Sequence, residues 1–219
     1  MPKLKRSRVR SEVAERAIRT RRKEYRRIRM SLLILDCTAE KEKRSEGKLV
    51  FELVRILDYD QEISMKKPLK IRKKSDFIES LNKADAYTVH ISSHGHRDES
   101  GSYFDLPFGG KVYARDLECL WEDRPKSKTP KLLALSACYT GRSDLIETFS
   151  KAGCRYCIAP AKDPYWHDAA LFWSKFYTVL FWGRRKSSPW VAFRDTNRAL
   201  PLLTGKWKFF DRGEEFFEA

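Results

Sequence analysis

The sequence predicts an α/β fold with a mainly parallel sheet flanked by helices, preceded by a separate basic helix. Three observations point there. Short apolar runs of strand length alternate with stretches of helical periodicity along most of the chain. Two of those runs end in residues able to do chemistry. The positive charge is concentrated at one end: of a formal net charge of +15, residues 1–30 contribute +10, from 13 Lys/Arg and 3 Glu.

Residues 1–30 contain no Gly, and Ala14, Ile18, Tyr25 and Ile28 mark a thin apolar stripe on an otherwise basic helix. The run Leu32 to Leu35 is a buried strand, and Leu49, Leu53 and Ile56 give residues 46–58 a helical face. Pro68 to Lys73 reads as a second strand. Ser75 is placed to cap a helix running to Ala84, with Phe77, Ile78 and Leu81 inward. Tyr87 to Ile91 is the next strand and leads into Ser92-Ser93-His94-Gly95-His96. Residues 101–114 set Gly101, Pro107, Gly109 and Gly110 among aromatic and β-branched residues, which is a hairpin pattern. A short helix from Ala114 to Trp121 follows. Lys131 to Leu135 is another buried strand, ending in Ser136-Ala137-Cys138. A helix over 143–152 stops at Gly153, Cys154 to Ala159 is a strand, and helices near 165–182 and 188–200 complete the pattern. The chain therefore divides into a basic helical extension, 1–30, and one α/β domain, 31–219.

The composition narrows the classes. Hydrophobic residues make up 42% and aromatics 13% of 219 residues, enough for one sizeable core. The charged start is followed by no apolar stretch before Ser31, so no secretory leader is expected. The most apolar segment, Ala169 to Trp182, is 14 residues long and contains Lys175, which suits a buried helix and not a membrane span. Five cysteines, an odd number lying mostly in apolar runs, suit a reducing cytoplasm.

Ligands of open parallel sheets bind beyond the carboxyl ends of the strands. His94 and Cys138 stand at two such ends, 44 residues apart. If the strands are neighbours, both side chains enter one crevice. A thiol becomes a strong nucleophile when an imidazole takes its proton, and the start of a helix after Arg142 favours the thiolate. Ala137 and Gly141 leave room for a substrate carbonyl. The backbone N–H groups of Gly95 and Cys138 are candidate donors to an oxyanion. Singly, a Cys after an apolar strand is a core residue and a His at a strand end is a surface residue. Together, strand–His–Gly upstream of strand–Ser–Ala–Cys points to a nucleophile and its base.

These segments resemble those of the caspase-like cysteine peptidases, among them caspases, metacaspases, gingipains, separases and CHAT domains. The likeness is greatest to bacterial CHAT domains. Thr88 to Gly95 resembles the family's His segment, Gly109 to Leu117 its Gly-turn and short helix, and Leu133 to Gly141 its Cys segment. Lys175-Phe176-Tyr177 and Asn197-Arg198-Ala199-Leu200 are similar to its C-terminal helices. The match covers roughly residues 85–203. It implies a caspase-like three-layer sandwich and a cysteine endopeptidase using a His-Cys dyad, Cys138 as nucleophile and His94, not His96, as base. It implies a protein substrate, no cofactor and no metal. It also implies a regulating partner in a bacterial defence or cell-death pathway, with residues 1–30 as the contact. Three departures bear on substrate choice. There is no TPR array. The loop Pro160 to Trp166 lacks the Trp and paired acids common in CHAT domains. Ser136 stands where caspases and metacaspases carry a polar or acidic pocket residue. Asp36, Ser136 and Asp163 are the candidate pocket residues, Asp36 as an acidic wall for a basic side chain.

Other chemistries find less support. His94-Gly95-His96-Arg97-Asp98 opens like a metallohydrolase ligand run, but Glu99 replaces its final His and His167 is the only later His. On a strand, His90 and His94 do not present both rings together as a helix would. Cys154-x2-Cys157 has no second pair and reads as core. There is no G-x-S-x-G elbow and no P-loop. A catalytically silent interaction module, or an adaptor binding nucleic acid through residues 1–30, is the alternative; the adaptor predicts strongly salt-dependent binding.

Overall fold

The structure is a computed structural model that describes residues 31–39, 45–58, 62–142, 144–181, 187–203 and 206–216. The basic helix expected over residues 1–30 lies outside the described residues. Strand β1 (Ser31–Asp36) is followed by helix α1 (Glu46–Leu57), the short strands β2 (Ser64–Met65) and β3 (Leu69–Lys70), and helix α2 (Lys74–Asn82). Then come β4 (Thr88–Ser92), β5 (His94–Asp98), β6 (Gly101–Asp105), β7 (Lys111–Tyr113) and β8 (Leu132–Ser136). Helix α3 (Asp144–Lys151), β9 (Tyr156–Pro160), α4 (Trp166–Phe181), α5 (Pro189–Ala199), β10 (Trp207–Asp211) and β11 (Glu214–Glu215) complete the order.

Strands β1, β4, β8 and β9 are the apolar runs seen in the sequence, and they pair in parallel as β9-β8-β4-β1. Both β4 and β8 are buried at all five positions; β8 (Leu132–Ser136) reads as a nearly continuous apolar run, whereas β4 alternates Thr88, His90 and Ser92 with Val89 and Ile91 and buries its polar side chains too. On one face, Leu35, Ile91, Leu133 and Leu135 pack against Phe77 and Leu81 of α2 and Leu145, Ile146 and Phe149 of α3. On the other, Leu32, Ile34, Leu132 and Ala134 pack against Val50 and Val54 of α1, Phe172, Trp173 and Phe176 of α4, and Ala192 and Phe193 of α5. The result is a three-layer sandwich with a mainly parallel central sheet. Among the described residues, no helix is long and apolar enough to cross a membrane.

Four details differ from the sequence reading. The expected Pro68–Lys73 strand shrinks to Leu69–Lys70, because only the tip of β1 is available to pair with it. Ser75 lies inside α2, whose cap residue is Lys73, and its hydroxyl bonds Asp76 at 3.2 Å. The hairpin over 101–114 is present, its turn closed by Leu106 N–H to Gly110 O at 2.8 Å with Gly109 at φ +74°. It has a third antiparallel strand, β5, whose sequence His94-Gly95-His96-Arg97-Asp98 carries no apolar alternation. Finally, β10 adds to β9 antiparallel and extends the sheet beyond the last expected element.

Candidate active site

The sequence expectation that the His and Cys strands are neighbours is met by the register. Asp36, Ser92 and Ser136 lie side by side at the carboxyl ends of β1, β4 and β8. One residue further, Cys37 N–H bonds Ser92 O at 2.8 Å and Ser93 N–H bonds Ser136 O at 3.1 Å. The chain after β4 then turns away as β5, beginning at His94, whose side chain is exposed. The chain after β8 turns at Cys138, which is half-buried.

What brings these two departures together is backbone packing. A Cβ built on Gly95 would lie 2.3 Å from Cys138 O, 2.5 Å from Cys138 N and 2.8 Å from Ala137 C. No side chain fits in that space, so a glycine is required where β5 crosses the Cys138 loop. The backbone N–H groups of Gly95 and of Cys138 itself both favour the thiolate form of the Cys138 sulfur. Gly141 serves differently from the expectation that it admits a substrate carbonyl. A Cβ there would meet Ala159 O and Pro160 O, each at 2.9 Å, so its bareness lets the turn pack on the end of β9.

The turn around Cys138 is strained. Tyr139 takes φ +61°, a left-handed conformation that costs an L residue about 1–2 kcal/mol. Its N–H bonds Lys162 O at 3.3 Å, and the Thr140 hydroxyl bonds Ala137 O at 2.7 Å. These bonds hold the bend that lifts Cys138 out of the strand. Backbone strain of this kind gathers at functional sites. The sequence carries no sign of it, because an aromatic residue is a poor marker of positive φ.

The thiol of Cys138 donates to Asp163 Oδ1 at 2.8 Å. Burial pushes this thiol up to about 12, and the Asp163 carboxylate adds to the rise, while the Gly95 and Cys138 amides oppose it. Burial and the neighbouring carboxylate thus both favour the protonated thiol. Asp163 and its neighbours Lys162 and Tyr165, with Leu203 and Lys206, line a pocket of about 490 Å³. Lys206 arrives there because β10 pairs with β9, and Ala161 N–H bonds Lys206 O at 3.1 Å. Sequence reasoning missed Leu203 and Lys206, since their place depends on that unanticipated strand.

Of the three candidate pocket residues, Asp163 alone lines that pocket. Asp36 is fully buried. Its Oδ1 accepts from the Thr38 N–H at 3.1 Å and hydroxyl at 2.6 Å. Its Oδ2 accepts from the Ser45 hydroxyl at 2.7 Å and sits 2.7 Å from Lys70 Nζ. Rather than forming an acidic wall, Asp36 ties the start of α1 and β3 to the end of β1. Ser136 is buried in the strand row. His96 Nε2 stands 3.8 Å from Asp105 on the adjoining strand. His90 is fully buried on the helix-covered face, bonded to the Tyr177 hydroxyl at 3.0 Å and 2.9 Å from Glu46. Cys154 and Cys157 are core residues, the Cys154 thiol bonding Tyr156 O at 3.3 Å. Among the described residues, no group of three or more His, Cys, Asp or Glu is placed to hold a metal ion.

No family model and no curated protein matches the sequence. Solved structures do. The Drosophila initiator caspase Dronc superposes with a TM-score of 0.54 at 11% identity, over 84% of this chain and 80% of that one. The Arg-specific cysteine proteinase gingipain R superposes with a TM-score of 0.55 at 12% identity, over 86% of this chain. The chain spans about half, 47%, of the gingipain R structure. At such identities the likeness is one of fold, and the three-layer sandwich described above is the caspase-like α/β fold.

Proposed function

We propose that the protein is a cysteine endopeptidase of the caspase-like kind, with Cys138 as nucleophile and His94 as base. The observation that carries this reading is the close packing of the Gly95 backbone against Cys138 at the carboxyl edge of the sheet, which leaves room there for no side chain. Donors aimed at a nucleophile are also near the carbonyl oxygen of whatever that nucleophile attacks. In the proposed sequence, the thiol proton passes to the His94 imidazole and the thiolate adds to the peptide carbonyl. The two amides hold the resulting oxyanion. The imidazolium returns its proton to the leaving amine as the C–N bond breaks, leaving a thioester on Cys138. Water, deprotonated by the same imidazole, then cleaves the thioester. The proposal extends, on the sequence resemblance to CHAT domains alone, to a setting in bacterial defence with a protein partner docking on residues 1–30.

The test is digestion of a peptide library prepared from a whole proteome, with new termini read by mass spectrometry. Wild type is expected to produce termini sharing a residue preference. Cys138→Ala and His94→Ala are expected to produce none while melting at the wild-type temperature. Proteolysis retained in Cys138→Ala would sink the assignment.

A further inference from the structure

The nucleophile proposed above is not free in this structure. Its proton is shared with a carboxylate, and that contact has a consequence for how the site turns on. We propose that Asp163 is a latch on Cys138, released when a cationic side chain of the substrate enters the adjoining pocket and pairs with the carboxylate. The proposal rests on the reading of Cys138 as nucleophile and adds to it a trigger and a substrate class.

The argument begins with the 2.8 Å contact between Cys138 Sγ and Asp163 Oδ1. Removing the proton would leave a thiolate and a carboxylate at hydrogen-bond distance with nothing between them. Two like charges so placed strongly oppose ionisation. The proton therefore stays on sulfur, and His94 cannot take it efficiently. A neutral thiol is a poor nucleophile, so the latched site is also protected from oxidants and electrophiles.

The latch can be opened from one side. Asp163 is exposed and faces the 490 Å³ pocket, whose lining contains no second carboxylate. A guanidinium or ammonium entering there meets Asp163 as its one anionic partner, against the like charge of Lys162 and Lys206, so only a cation that reaches the carboxylate itself gains by entering. Once the carboxylate is paired with a cation, the thiolate beside it loses its repulsion. The proton can then pass from Sγ to His94, with no other bond made or broken. An acidic side chain behaves oppositely. It is drawn to Lys162 and Lys206, is repelled by Asp163, and leaves the latch closed. Recognition and activation are thus one event, and residues that fill the pocket without a positive charge bind without switching on the sulfur.

The experiment measures thiol alkylation, which requires no proteolysis, so its failure is distinguishable from failure of the peptidase reading. The full chain is treated with iodoacetamide at pH 7.5 and each cysteine is followed by peptide mapping, with exposed Cys119 as reference. Asp163→Asn and Asp163→Ser are expected to speed alkylation of Cys138 by roughly tenfold or more relative to Cys119. Excess acetyl-arginine amide is expected to speed it in wild type and to add nothing in either variant, whereas acetyl-glutamate amide changes neither. Unchanged Cys138 reactivity in both folded variants overturns the latch. Equal effects of the arginine and glutamate amides on wild type overturn the cationic trigger. If both expectations hold but no peptide is ever cleaved, the latch stands and the peptidase reading falls.

Discussion

Gly95→Ala is expected to lower kcat/KM on any peptide the wild type cleaves by roughly 100- to 1,000-fold, the effect of losing one oxyanion donor. The added methyl has backbone on three sides: the carbonyl oxygen and nitrogen of Cys138 and the carbonyl carbon of Ala137. None of these is the end of a flexible side chain that could swing away. The start of β5 must therefore move off the nucleophile loop, carrying the Gly95 amide away from the sulfur and His94 with it. The effect should fall on the chemical step, so kcat should drop more than KM rises. His96→Ala, at the next position on the same strand, is the control and should retain most activity. An active Gly95→Ala enzyme would mean that the amide is not a donor in the reaction.

The second large effect concerns stability. Asp36→Ala should cost about 3 kcal/mol, the range for removing one partner of a buried ion pair. It leaves the Lys70 ammonium, itself two-thirds shielded, and the Thr38 and Ser45 hydroxyls without their acceptor. For a chain of this size that is a fall in melting temperature of roughly 6–12 °C. A pH signature accompanies it. Burial raises the Asp36 carboxyl, but Lys70, Thr38 and Ser45 more than offset this and hold it below the usual carboxylate range. A carboxyl depressed in the folded state contributes stability above its unfolded pKa, and that contribution is lost as pH falls through the folded value. Wild type should therefore lose stability steeply below pH 4, and Asp36→Asn should show a shallower decline. Thermal melts between pH 3 and 7 check both. An Asp36→Ala protein as stable as wild type would show the network to be incidental.

How much of this was legible in the sequence follows from which forces set each part. Strands β1, β8 and β9 announced themselves because strands covered by helices on both faces are rich in apolar residues, while β4 showed itself through the alternation of Val89 and Ile91 with polar residues that are buried as well. The strand-end motifs named His94 and Cys138 as a candidate pair, with His94 preferred to His96 by the family resemblance, and the pairing of β4 with β8 places the two at adjacent ends. Strand β5 could not be foreseen, because only Gly95 of its five residues is buried and its polar side chains carry no period. The role of Asp36 was also hidden. At the end of a strand an acidic residue looks available to a ligand, and only the fold shows Lys70, Thr38 and Ser45 converging on it. The Cys138–Asp163 bond spans 25 residues and depends on the strained Tyr139 turn and its bond to Lys162 O. Sequence pattern reports which faces are buried; it does not report how two irregular loops meet.

The central claim is that Cys138 is a nucleophile activated by His94 within reach of a bound peptide. It is tested most directly with a panel of peptidyl acyloxymethyl ketones varied at the residue beside the reactive group, with adducts read by intact mass and peptide mapping. The account predicts a single adduct, on Cys138, formed fastest by probes with a basic residue at that position and absent in His94→Ala. Labelling spread over the other four cysteines, or an adduct on Cys138 that forms equally well without His94, would contradict it.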